Sequence, residues 1–180
     1  MYEVEVKLPA AHDRVRERLE ALGATAIGRV VQIDTYYDAP HRSFESTDEA
    51  LRLRRERSEG DERVELTYKG PLVDSQSKTR EEFETGLTDA GAAKKLLDRL
   101  GFDPAATVRK ERDRYALGDL TVSLDDVADV GEYVEVERLA PEDDISAVRS
   151  EIYDVLERLG LDPSEQVRTS YLGMKLERTQ

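Results

Sequence analysis

The sequence predicts an α+β domain in which about eight antiparallel strands form one curled sheet with helices on its outer face. Three observations carry this. Apolar and polar residues alternate with period two in segment after segment, the mark of half-buried strands. Three stretches carry helical periodicity, each ending at a glycine. The non-apolar strand face is charged and not merely polar, so a concave charged interior is expected behind helices packed outside. The length of 180 residues suits a single domain, 1–180, with no linker or low-complexity segment to divide it.

In chain order, Tyr2, Val4, Val6 and Leu8 alternate with Glu3, Glu5 and Lys7. A helix follows over residues 10–23, with Val15, Leu19 and Leu22 on one face and Gly23 as its stop. Val31 and Ile33 open a strand that reaches Tyr36 and Tyr37. Leu51 and Leu53 alternate with Arg52 and Arg54. The turn Ser58-Glu59-Gly60-Asp61 then leads into Val64, Leu66 and Tyr68, which alternate with Glu65, Thr67 and Lys69. Arg80, Glu82 and Glu84 share one face opposite Phe83. Thr88 and Asp89 cap a helix running to Leu100 and stopped by Gly101. Val108, Lys110, Arg112 and Arg114 lead to Tyr115, and Gly118-Asp119 turns the chain into Leu120, Val122 and Leu124. These alternate with Thr121, Ser123 and Asp125, and Val134 and Val136 with Glu135 and Glu137. A helix runs from Asp144 to Leu159, and a short one over 169–177 closes the chain. His12 and His41 read as surface residues, and Tyr36, Tyr37 and Tyr68 as packing residues.

The chain echoes itself. Residues 97–104 (LDRLGFDP, then Val108-Arg109) recur at 156–163 (LERLGLDP, then Val167-Arg168), which suggests two related halves of one sheet. A fainter copy at Leu19–Gly23 aligns Gln32 with Lys110 and reads as an ordinary helix-end signature.

Composition narrows the function. A net charge of −13 and a pI near 4.7 argue against nucleic-acid binding by net charge. The absence of Cys removes disulfides, thiolate metal sites and a Cys nucleophile. No apolar run spans a bilayer, and the N-terminus lacks the basic and apolar regions of a signal peptide, so a cytoplasmic protein without a membrane partner is expected. Seven lysines against twenty arginines, in so acidic a chain, fit a halophilic protein kept soluble in concentrated salt.

Because side chains alternate, Glu3, Glu5 and Lys7 project from one face of their strand, as do Arg52 with Arg54, Lys110 with Arg112, and Glu135 with Glu137. Carboxylates two residues apart on a strand suit a hard divalent cation such as Mg²⁺, and clustered Arg and Lys suit a polyphosphate. A socket for a metal–triphosphate complex is one reading of this interior; a solvated face laced with cross-strand ion pairs is the other. No Walker, Ser-x-x-Lys or Gly-x-Ser-x-Gly element is present.

Glu3-Val4-Glu5-Val6-Lys7 resembles the E-x-E-x-K signature of the CYTH superfamily, which holds class IV adenylyl cyclases and thiamine triphosphatases. QIDTYYD at 32–38, LRLR at 51–54, Lys69-Gly70-Pro71, Thr79-Arg80-Glu81-Glu82, Lys110-x-Arg112, Asp125 and Glu135-x-Glu137 extend the resemblance over nearly the whole chain.

The resemblance implies an eight-stranded antiparallel closed β-barrel, the triphosphate tunnel, with helices outside. It implies Glu3, Glu5, Glu135 and Glu137 as ligands of Mg²⁺ or Mn²⁺, with Asp125 as a further ligand or a group behind them. Arg52, Arg54, Lys69, Arg80, Lys110 and Arg112 are the implied triphosphate-binding cations. Lys7, Lys110 and Arg112 are the implied catalytic residues, and Glu82 orients a neighbouring cation. Tyr171 or Lys175 fills the place of a lysine that closes the tunnel in the family. The segments most resemble the class IV branch, which converts ATP to 3′,5′-cyclic AMP and pyrophosphate. A triphosphatase acting on inorganic triphosphate, thiamine triphosphate or a nucleotide is the alternative, and a non-catalytic polyphosphate receptor the second. The resemblance leaves a homodimer open. If the basic residues crowd one tunnel unpaired, replacing Arg54 or Lys110 with Ala leaves the free protein as stable or more so.

Overall fold

The computed structural model describes residues 1–179. Eight strands, β1 (Tyr2–Pro9), β2 (Thr25–Asp38), β3 (Ala50–Ser58), β4 (Asp61–Leu72), β5 (Lys78–Leu87), β6 (Asp103–Leu117), β7 (Leu120–Val127) and β8 (Gly131–Ala140), close into an antiparallel barrel. The order around it is β1-β5-β4-β3-β2-β6-β7-β8. Helices α1 (His12–Ala21), α2 (Phe44–Thr47), α3 (Ala90–Arg99), α4 (Ile145–Arg158) and α5 (Tyr171–Thr179) lie against it. None of the described helices is long and apolar enough to cross a membrane.

The apolar alternation faces outward, because that is where the helices are. Val4 and Val6 of β1, Val122 and Leu124 of β7, and Val134 and Val136 of β8 pack on Val15 and Leu19 of α1 and on Ile152 and Leu156 of α4. A smaller cluster seats Leu97 of α3 on Tyr37 and Leu53. A third gathers Val108, Val127 and Tyr133 around Tyr171 and Met174 of α5. With its apolar residues turned out, each strand turns its charged alternates into the bore.

The barrel has two halves, but not those read from the echo. The copy after α4 leads into a 3₁₀ turn, Pro163–Glu165, and irregular chain at Val167 and Arg168, with no strand. The related pair is α1–β2 and α3–β6, each a helix ended by a left-handed glycine (Gly23, φ 74°; Gly101, φ 85°) and followed by a long strand. The two strands lie side by side, and Gln32 pairs directly with Lys110, the residue with which it aligns. β2-β3-β4-β5 and β6-β7-β8-β1 are thus matching four-stranded runs.

One local expectation fails, and one element was not anticipated. His12 is buried, not on the surface: its Nε2 donates to Tyr133 O at 3.1 Å, a carbonyl that can only accept. The one-turn α2, capped by Ser43, is too short to show a period. Tyr37 and Tyr68 pack as expected, Tyr68 stacking on Phe83 outside the barrel. Tyr36 packs near α5 and also lines the bore.

Candidate functional site

The bore is a cavity of about 820 Å³. Strand alternation delivers one charged row from every direction: Glu3 and Glu5 from β1, Lys78, Arg80 and Glu82 from β5, Lys69 from β4, Arg52 and Arg54 from β3, Lys110 and Arg112 from β6, and Glu135 and Glu137 from β8. Arg52, Arg54, Arg80, Lys110 and Arg112 are all buried.

Carboxyl oxygens of Glu3, Glu5 and Glu137 lie within 4.8 Å of one another. Register explains the grouping, since Glu5 pairs with Glu137 across the β1–β8 ladder. Burial, then the charge of Glu3, pushes the Glu137 carboxyl up to about 8. Burial also acts to raise Glu3, but Lys69, at 2.7 Å, outweighs it and holds this group well below the usual carboxylate range. Lys69 also meets Glu82 at 2.7 Å, as the expected orienting role requires. Burial and the Glu3 charge nevertheless push Glu82 up to about 7. Three carboxylates this close, one of them favouring its protonated form, make an all-oxygen donor set of the kind that hard divalent cations take.

The cations are not unpaired. Arg54 grips Asp34 through two bonds of 2.7 Å, and Arg112 grips Asp125 through two of 2.6 Å while also meeting Glu135. Lys78 meets Glu5 at 3.0 Å. Lys110 reaches Asp125 at 3.3 Å, and Arg52 donates to Thr67 Oγ1 at 3.1 Å. Burial acts to raise Asp34 and Asp125, yet Arg54 and Arg112 beside them hold both below their ordinary range. The expected mutual repulsion is therefore replaced by matched charge pairs, which fix each guanidinium in place.

This pairing separates two groups of acids that sequence alone places together. Asp125 is saturated by Arg112, Lys110 and the Tyr171 hydroxyl, at 2.9 Å, and lies apart from the three-carboxylate cluster. Glu135 is turned to Arg112. Arg80 is directed to the Gly70 and Asp48 carbonyls, at 3.1 and 3.3 Å, although it lines the bore. Lys7 sits at the end that α5 covers. Its Nζ donates to Thr169 O at 2.6 Å, 4.3 Å from the centre of the Tyr171 ring. Tyr171, and not Lys175, closes that end: Lys175 turns away to Thr107 O.

Lys78, Asp34, Gln32, Glu56, Glu65, Glu84 and Arg114 also belong to the lining or its pairs and were not among the expected site residues. The signal was alternation itself, since Lys78 stands two residues before Arg80 and Arg114 two after Arg112.

Comparison with known proteins agrees with this geometry. A family model described as CYTH domain matches residues 1–171. The Methanocaldococcus jannaschii protein named “Putative adenylate cyclase MJ0240” is 35% identical over 177 residues, 97% of this chain and 99% of that protein. Adenylate cyclase CyaB of Aeromonas hydrophila is 26% identical over 140 residues, 77% of this chain and 69% of that one. Among solved structures, the PH1819 protein of Pyrococcus horikoshii OT3 superposes with a TM-score of 0.92 at 37% identity, covering 98% of this chain and 99% of that one. A family match over nearly the full length, a relative 35% identical end to end and a barrel with its charges turned inward all lead to one assignment: the chain belongs to the CYTH family.

Proposed function

We propose that the chain is a metal-dependent enzyme acting on a triphosphate held in the bore, and specifically an adenylate cyclase that converts ATP to 3′,5′-cyclic AMP and pyrophosphate. One observation carries the reading: buried arginines and lysines surround a cavity whose wall also presents the carboxylates of Glu3, Glu5 and Glu137 within 4.8 Å of one another. A pure anion receptor gains nothing from that acidic cluster beside its ligand. The cyclase reading is further supported by the adenylate cyclase names of the two relatives.

Glu3, Glu5 and Glu137 would hold Mg²⁺ or Mn²⁺, which when bound supplies charge stabilisation at the reacting phosphate. Arg52, Arg54, Lys69, Lys110 and Arg112 neutralise the triphosphate. The ones that Asp34 and Asp125 grip are set before substrate arrives, so little reorganisation accompanies the reaction. In the cyclisation the ribose 3′-oxygen gives up its proton to water and bonds to the α-phosphorus, and the bond from that phosphorus to the oxygen bridging the α- and β-phosphates breaks, releasing pyrophosphate. Lys110 and Arg112 then face the charge that develops on the departing pyrophosphate. Burial, then the charge of Lys78, pushes the Lys7 ammonium down to about 7, so it is poised between charged and neutral at the end covered by Thr169 and Tyr171.

Incubation with ATP and Mn²⁺ or Mg²⁺, followed for cyclic AMP, pyrophosphate and phosphate, tests this. Equal amounts of cyclic AMP and pyrophosphate are expected. Excess chelator should abolish turnover, and Glu5→Gln should lower it at least tenfold, about 1.4 kcal/mol of barrier. Phosphate without cyclic AMP overturns the cyclase reading in favour of a triphosphatase, and binding without any product leaves a receptor.

A further inference from the structure

The phosphate-binding cations occupy only part of the bore. Along β2, Tyr36 packs beside the α5 end, whereas Gln32 lies four residues away, roughly 13 Å at the usual strand rise. Around Gln32 the lining changes character. Lys110 stands opposite Gln32 across the β2–β6 ladder, Glu56 faces Gln32 from β3 and is shared with Arg114, and Ile27 and Leu139, both more than half exposed, add apolar lining. A bulge between Ala26 and Gly28 sets Gly28 opposite Arg114, and a Cβ on Gly28 would meet nothing within 4 Å. A bulge with a glycine at an open rim leaves room for close approach by a ligand. Glu56 beside Gln32 disfavours phosphate at that position, so an uncharged part of a larger triphosphate molecule is what suits it there. The volume of about 820 Å³ lies within the roughly 300–1,000 Å³ of cavities that take ligands larger than a bare triphosphate.

Three buried polar atoms at this end lack hydrogen-bond partners: Gln32 Oε1, Arg114 Nε and Ser123 Oγ. Gln32 is the informative one. Its Nε2 donates to Glu56 Oε2 at 2.7 Å, and Arg114 Nη2 donates to the other Glu56 oxygen at 3.0 Å. Glu56 is an acceptor only, so the opposite amide orientation would set oxygen against oxygen. The Gln32 carbonyl oxygen is thereby fixed as a free acceptor, in a side chain 1% exposed that lines the cavity. Buried acceptors without partners are uncommon, and a ligand donor is what this one lacks.

The geometry points to Gln32 as a specificity-determining residue: its amide oxygen, oriented by Glu56, accepts a hydrogen bond from a donor on the nucleoside portion of a nucleoside triphosphate. This rests on the reading of the bore as a triphosphate site. Two donors share the required chemistry, the exocyclic amino group of adenine, whose edge glutamine amides commonly recognise, and a ribose hydroxyl.

Equilibrium titration of the chain in EDTA with ATP, ITP, 2′-deoxy-ATP and tripolyphosphate separates these sources. ITP carries an oxygen in place of the amino group, and 2′-deoxy-ATP lacks one hydroxyl. Wild type should bind one of these analogues about three- to tenfold more weakly than ATP, the range for one neutral hydrogen bond. Gln32→Leu should erase that difference and bind tripolyphosphate as wild type does. Glu56→Gln, which lets the Gln32 amide turn over, should reduce the same discrimination, and thermal unfolding shows whether each variant is folded. Undiminished discrimination in both variants, or loss of ATP and tripolyphosphate binding alike, overturns the assignment to Gln32. If wild type binds ATP no better than tripolyphosphate, the nucleoside contact fails while the triphosphate reading stands. If it binds neither, in EDTA or with Mg²⁺ restored, both fail.

Discussion

Arg54 and Asp34 form a neutral unit in the bore, with two bonds of 2.7 Å between side chains that are both buried. Removing one partner strands the other, at a cost of about 3–5 kcal/mol for a buried pair. Arg54→Ala should therefore lower the stability of the free protein, and Asp34→Ala added to it should restore part of the loss; urea unfolding of the three proteins checks this. Equal stability of Arg54→Ala and wild type would mean that the pair contributes nothing. Glu65 behaves oppositely. Burial, then its hydrogen bond and repulsion with Glu84, pushes it up to about 7. A carboxyl raised on folding contributes fully below its unfolded value of 4.5, and that contribution is lost as pH rises through 7. Glu65→Gln should gain melting temperature over wild type at pH 8 and little at pH 5; a gain that does not grow with pH refutes the shift. At this scale the alternation of LRLR and E-x-E shows which side chains enter the bore. It does not show who pairs with whom, because Asp34–Arg54 and Asp125–Arg112 depend on register between strands.

Elements divide in the same way between what is local and what is not. Strands with strict period two and helices stopped by glycine were legible, since both signals lie within a dozen residues. The pairing of the halves was not, because the copies at 97–104 and 156–163 share a helix end but lead to different structures. α5 shows how tertiary contact outweighs propensity. Gly173 lies inside this helix, where Ala is the better helix former by up to about 1 kcal/mol. A Cβ there would stand 2.8 Å from Thr169 Cγ2, on a stiff β-branched side chain whose carbonyl is held by Lys7. Overpacking typically costs about 1–3 kcal/mol, so the clash wins. Gly173→Ala should lower the melting temperature by about 2–4 °C, the shift expected for roughly 1 kcal/mol in a domain of this size. An unchanged or higher value would show that the α5 end yields freely.

For the whole molecule, the bore and the exterior carry charge differently. Inside, cations and carboxylates nearly balance in matched pairs, so the net charge of −13 resides almost entirely on the outer surface. Exposed pairs such as Arg57 with Glu62 and Arg63 with Asp61 return about 0–1 kcal/mol each, too little to offset repulsion among the unpaired acids. Salt acts on the two regions unequally. At 0.1 M the screening length is about 10 Å and surface acids still repel one another; at 1 M it is about 3 Å and most of that repulsion is gone. The buried pairs are screened far less and keep their strength. Melting temperature should therefore climb as KCl rises from low concentration to 2 M. The added stability conferred by tripolyphosphate should shrink over the same range, because its binding exchanges phosphate charge for released ions. A melting temperature that is flat or falling toward 2 M KCl would refute the surface-repulsion account. It would also remove the physical ground for reading seven lysines among twenty arginines as an adaptation to salt.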